Sequence, residues 1–98
     1  MTLRVVFRRA AQREFEEAAV WYEERRAGLA TQFRSEVDRA IAQAAENPLR
    51  FAPRYRQIRC VRVRRFPYSV FFLAEAERLV VLSIFHVRRN PAVWRSRA

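Results

Sequence analysis

FPYSVFFLAEAERLVVLSIFHVRRNP, residues 66–91, decides the fold. Two apolar runs, Tyr68–Ala74 and Leu79–Val87, are separated by Glu75-Ala76-Glu77, a joint short enough to predict an antiparallel hairpin. The second run is apolar at both parities: alternation puts Val80, Leu82 and Ile84 on one face and Leu79, Val81 and Phe85 on the other. A strand of that kind is expected to be central and covered on both sides. Upstream, Gln57–Arg64 reads as a third strand joined through Arg65-Phe66-Pro67, which completes an antiparallel meander. Val61-Arg62-Val63-Arg64 alternates cleanly, but Arg59 shares parity with the two valines, so a bulge near Cys60 is expected to reset the register. Pro48 and Pro53 mark the basic stretch before it as loop.

Towards the N-terminus the period changes. Ala11, Phe15, Ala18, Ala19 and Tyr22 recur at helical spacing, with Arg13, Glu14, Glu16, Glu17, Glu23 and Glu24 between them, so a helix is predicted over residues 9–26. Gly28, the only glycine, suits the left-handed position that closes a helix. Leu29, Phe33, Val37, Ile41 and Ala44 form the stripe of a second helix, stopped by Asn47-Pro48. Leu3–Phe7 reads as a short strand. The expected fold is therefore α+β: an N-terminal strand and an antiparallel helical hairpin packed on a C-terminal antiparallel β-meander. The hairpin covers one sheet face, leaving the other for the tail with Trp94 or for a partner. Asn90-Pro91 is expected to open a short terminal turn or helix.

Ninety-eight residues, 51% hydrophobic, imply a single domain spanning 1–98 with one core, and disorder is a poor reading. No stretch approaches the ~20 apolar residues of a membrane span, and the first residues carry no signal-peptide pattern, so a cytoplasmic location without membrane association is expected. Cys60 stands alone. It excludes an internal disulfide and a cysteine zinc cage, and one His with one Cys gives no metal cluster; no metal or other cofactor is expected.

The charge distribution is lopsided. All 20 basic residues are arginine, which fits the codon bias of a GC-rich genome better than a selected guanidinium set. Residues 1–49 hold 8 Arg and 8 acids, whereas residues 50–98 hold 12 Arg and 2 acids, so the whole net charge of +10 lies in the second half. The block Arg50, Arg54, Arg56, Arg59, Arg62, Arg64, Arg65 contains no acid, and Arg88, Arg89, Arg95 and Arg97 follow later. Guanidinium binds phosphate bidentately, and Tyr55, Phe66 and Tyr68 could stack on bases. An acidic protein fits the same footprint, and composition leaves the two open. His86, the only histidine, would stand as a general acid or base beside Arg88 and Arg89; as a lone His without a paired carboxylate it reads as structural. Tyr22 reads as a packing group, Trp21 and Trp94 as core or docking aromatics, and Glu75 and Glu77 as solvated turn residues. A Gly-rich phosphate loop and a Ser-His-Asp set are absent.

The segments AAVWYEERRAGLATQFRSEVDRAI, ENPLRFAP, VRVRRFPYSVFF and VLSIFHVRRNPAVW together resemble the ParE-like branch of the RelE/ParE toxin superfamily, over nearly the whole chain. The resemblance implies the toxin of a type II toxin–antitoxin system, bound and neutralised in a hetero-oligomer by an acidic, ParD-like antitoxin. ParE-like members look like DNA gyrase poisons; RelE-like members cut mRNA on the ribosome, and that activity is the alternative. By position, Arg62 and Arg64 fall where RelE-like toxins place RNA-binding residues, Arg88 matches their late arginine, and Trp94 falls where some carry a catalytic tyrosine. Arg62, Arg64 and Arg88 with His86 form the candidate nuclease set. Ser69 occupies the place of a phosphate-contacting arginine, which tilts the reading to the ParE-like branch, whose members often carry the same histidine. The candidate target- or antitoxin-binding residues are Arg54, Arg56, Arg59, Arg62, Arg64, Arg65, Arg88, Arg89 and Trp94. A third reading is a harmless basic nucleic-acid module.

Overall fold

In the computed structural model, which describes residues 2–97, the sequence order is β1 (Arg4–Phe7), α1 (Arg9–Arg25), α2 (Leu29–Glu46), a 3-10 turn at Pro48–Arg50, β2 (Pro53–Tyr55), β3 (Ile58–Arg62), β4 (Tyr68–Ala74), β5 (Arg78–His86) and α3 (Ala92–Arg95). The strands form one sheet in the order β1-β5-β4-β3-β2. The meander β3-β4-β5 is antiparallel as expected, but β1 joins it parallel to β5, pairing Arg4 with Arg78 and Phe7 with Val81. The sheet is therefore mixed and five-stranded. β2, within the stretch read as loop, pairs with β3 at the outer edge, where Pro53, which has no N–H to donate, is tolerated.

α1 buries Ala11, Phe15, Ala18, Ala19 and Tyr22, and α2 buries Phe33, Val37, Ala40, Ile41 and Ala44, so the apolar stripes meet each other and the sheet. Phe33 is fully buried at the centre of an aromatic group, with Tyr22 at 5.0 Å and Phe66 and Tyr68 each at 5.2 Å between ring centroids. Burial of a side chain of that size contributes about 2–3 kcal/mol. Gly28 is left-handed, with φ 88°, but it serves as N-cap of α2 rather than closing α1, which ends at Arg25. A glycine has no side chain with which to cap. Glu23 supplies one from α1, its carboxylate accepting from the N–H groups of Gly28 and Ala30 at 3.1 Å.

Two register expectations are corrected. No bulge lies at Cys60: β3 pairs with β4 residue for residue from Arg59–Phe72 to Arg62–Ser69. Arg59 simply occupies the helix-facing parity of Val61, and its guanidinium donates to the Phe51 carbonyl, which gives one of its donors a partner without a register change. Register shifts occur elsewhere: in β2, where Arg54 is unopposed between the Pro53–Arg59 and Tyr55–Ile58 pairs, and in β5. Phe71 faces Ser83 and Phe72 faces Val81, so Leu82 is unopposed and the strand reverses its parity there. Ile84 consequently joins Leu79 and Val81 on the helix side, while Phe85 joins Val80 and Leu82 on the outer side, the reverse of simple alternation. β5 lies inside the sheet with both faces covered. Trp94 closes the outer face, 4% exposed and stacked on Phe71 at 3.9 Å and 12°.

Candidate functional site

β1 pairs with β5 only as far as Val81, which leaves Leu82–His86 without a strand on that edge. Side chains replace the missing neighbour. Glu14 Oε1 accepts from the Ile84 N–H at 3.1 Å, from the Ser83 hydroxyl at 2.9 Å and from Arg97 Nη1 at 2.9 Å, and the same Arg97 nitrogen donates to the Leu82 carbonyl at 3.0 Å. Glu14 Oε2 is buried and makes no hydrogen bond, with the Arg89 guanidinium 3.7 Å away. This group ties α1, the β5 bulge and the C-terminal tail together. Reading Glu14 as one of the polar positions between the stripe residues of α1 missed it. The signal was its spacing, three residues after Ala11 and four before Ala18, which places it on the flank of the buried stripe, together with Ser83 as the one polar residue inside an apolar strand.

Beside that edge lies a largely apolar groove of about 520 Å³, walled by Trp21 and Tyr22 of α1, Tyr68 of β4, Pro67 before it, and Ile84 and His86 of β5. Trp21 is 48% exposed and Val20 next to it 56%. His86 packs edge-on against Tyr68 at 5.2 Å, and its Nδ1 accepts from the Arg88 N–H at 3.1 Å. Burial pushes the Tyr68 phenol above its ordinary pKa, with Arg89 opposing and Glu14 adding to the shift. Burial likewise raises Tyr22, helped by Tyr68, so both phenols remain protonated at neutral pH.

The outer sheet face carries a second, smaller pocket of about 290 Å³. Arg54 from β2, Arg62 from β3 and Arg89 after β5 line it, with Cys60 and Ser69 as its neutral polar groups. Burial pushes the Cys60 thiol up, against a hydrogen bond from Ser69 and the charges of Arg54 and Arg62; the thiol stays protonated and is a poor nucleophile. Around the pocket, arginines lie over aromatic rings: Arg56 and Arg95 at 5.2 and 5.3 Å from the Tyr55 centroid, and Arg89 at 5.6 Å from that of Phe85. Arg56 (φ 52°) and Arg65 (φ 71°) both adopt the left-handed conformation in the turns that flank β3, at a cost of about 1–2 kcal/mol each.

The chain matches the family described as the ParE toxin of the type II toxin–antitoxin system parDE, over residues 5–91. It belongs to the ParE toxin family. The fold agrees: a solved structure of the chromosomal ParDE toxin–antitoxin system from P. aeruginosa superposes with a TM-score of 0.77 at 14% identity, covering 89% of this chain and 98% of that one. No curated protein matches the sequence.

Membership makes the chain the toxin of a type II system, which implies an antitoxin partner. For this ParE-family chain the four nuclease candidates do not form one constellation. Arg62 lines the outer pocket and also a small cleft against α2, which it shares with Arg64. His86 faces α1 across the groove, and Arg88 is exposed in the turn after β5. Of the candidate binding residues, Arg54, Arg56, Arg62, Arg64, Arg65, Arg88 and Arg89 present guanidiniums at the surface, whereas Arg59 is turned to the Phe51 carbonyl and Trp94 is packed on Phe71. The rings considered for base stacking are likewise occupied: Phe66 is in the helix-side core and Tyr68 packs against Tyr22 and Phe33. Among the described residues, no three His, Cys, Asp or Glu side chains form a metal-holding group. No helix among them is long and apolar enough to cross a membrane.

Proposed function

We propose that this toxin arrests growth in the cytoplasm by binding DNA gyrase and trapping it on cleaved DNA, without covalent chemistry of its own. The observation that carries the reading is the dispersal of the candidate nuclease residues: Arg62 lines the outer pocket and, with Arg64, the cleft against α2, whereas His86 lies in the groove against α1. The arginine face offers guanidiniums, which stay protonated and cannot act as a base. His86, the only histidine, faces the groove against α1, with Arg89 on the same lining. Cleavage of RNA through its 2′-hydroxyl needs a base, an acid and charge stabilisation at one place. Binding a topoisomerase needs only a surface.

The antitoxin is an acidic, ParD-like chain that neutralises the toxin in a hetero-oligomer. Its apolar side chains fill the groove beside Trp21, and its carboxylates pair with Arg88 and Arg89 at the adjoining turn. Purified toxin is expected to accumulate cleaved DNA in a gyrase reaction and to lose that effect when the product of the neighbouring reading frame is added. Supercoiling and cleavage unchanged at saturating toxin would reject the proposal, and new cuts within codons of cellular mRNA during arrest would replace it with the endonuclease reading.

A further inference from the structure

The outer pocket joins three guanidiniums from three separate elements, Arg54, Arg62 and Arg89, above the Ser69 hydroxyl and the Cys60 thiol, and no acidic residue is among those that line it. Such a set matches a tetrahedral, doubly accepting anion. The aromatic groups nearby restrict which anion it is. Trp94 has one face on Phe71 at 3.9 Å and is 4% exposed, Phe71 and Phe85 are buried, and the Tyr55 ring lies under Arg56 and Arg95. A base has no free ring face there on which to stack. Single-stranded nucleic acid is held by stacking as much as by charge, whereas a duplex keeps its bases stacked on each other and offers its phosphates alone.

The geometry points to a docking site for the phosphate backbone of duplex DNA on the outer sheet face, reading no sequence. Arg54, Arg62 and Arg89 contact phosphate, Arg56 and Arg95 extend the positive surface beside them, and the Arg89–Glu14 pair sets its limit towards α1. The inference goes beyond the gyrase reading and does not need the enzyme: a gyrase poison without this site, or this site on a toxin with another target, are both physically sound.

The test is fluorescence anisotropy of the full chain with short labelled duplexes of AT-rich and GC-rich sequence and with single-stranded RNA of equal length, over a salt series. Each phosphate contact contributes about 0.9 to the slope of log affinity against log salt, so the three arginines alone weaken binding about 40-fold for a fourfold rise in salt. Arg54→Ala and Arg62→Ala, both exposed and therefore no threat to folding, are each expected to lower the slope by about 0.9. Arg13→Ala, exposed in the neutral half of the chain, should leave it unchanged. The two duplexes should bind equally and the RNA more weakly. Tighter binding to the RNA overturns the proposal, as does a slope unchanged in both pocket variants. If those variants weaken only antitoxin binding and spare DNA, the pocket belongs to the antitoxin. Gyrase cleavage measured on the same variants is a separate readout, so failure of the target assignment is distinguishable from failure of the DNA site.

Discussion

Removing the Glu14 carboxylate tests the device that finishes the sheet edge. Its Oε1 holds three donors, of which the Ser83 hydroxyl is fully buried and the Ile84 N–H belongs to a strand without a neighbour on that side. The pair with Arg97 is not a surface ion pair: side-chain exposures are 11% for Glu14 and 23% for Arg97. Glu14→Ala strands these donors and leaves a guanidinium short of its partner. At about 1–3 kcal/mol for each buried unsatisfied group, less what water recovers through the adjoining groove, the loss is about 3–5 kcal/mol. That is a large part of the 5–15 kcal/mol typical of a domain, and for a chain of this size it lowers Tm by roughly 12 °C or more. Glu14→Gln keeps one acceptor oxygen but removes the charge and replaces the other oxygen with a donor NH2, so about 1–2 kcal/mol is expected. A double-mutant cycle of Glu14→Gln with Arg97→Ala should show about 1 kcal/mol of coupling. Urea denaturation of the parent, the three single variants and the double variant measures all of this. If Glu14→Ala unfolds within about 0.5 kcal/mol of the parent, the edge is not held in the way described.

Acid dependence should be visible at the start of α2. Hydrogen bonds from the Gly28 and Ala30 N–H groups hold the Glu23 carboxyl below its ordinary value of 4.5. A depressed carboxylate pKa contributes stability that is complete above the ordinary value and lost as pH falls through the lower one. The melting difference between parent and Glu23→Ala should therefore be constant near neutrality and vanish in acid, and a difference that persists in strong acid would contradict the assignment. On the outer face, Trp94→Ala uncovers Phe71 and the surrounding apolar cluster, at a cost of about 3–5 kcal/mol. Increased binding of a hydrophobic dye and an earlier unfolding midpoint are the expected signs; an unchanged midpoint would mean that the tail adds nothing to the core.

Legibility followed the range of the interactions. The helical stripes of α1 and α2 repeat at 3.6 residues, so each helix could be read within a short window, and Tyr68–Ala74 emerged with its observed ends. β2 could not be read this way, since three residues that include a proline become a strand only when β3 lies beside them. The candidate site was half legible. The acid-free arginine block identified the cationic face, yet of its members only Arg54 and Arg62 meet in the outer pocket, joined there by Arg89 from another segment, while Arg59 turns inward.

Charge asymmetry, helix periodicity and the order of elements belong to the chain itself, because each is set by neighbours a few positions apart or by simple composition. Three things depend on contacts across the fold: the reversal of parity at Leu82, the partnership of Glu14 with Ser83 and Arg97, and the separation of His86 from Arg62. A bulge takes its position from the strand opposite, and a buried carboxylate finds its donors 69 and 83 residues away. Local pattern carries no record of distances of that kind, so only the packed sheet and helices decide them.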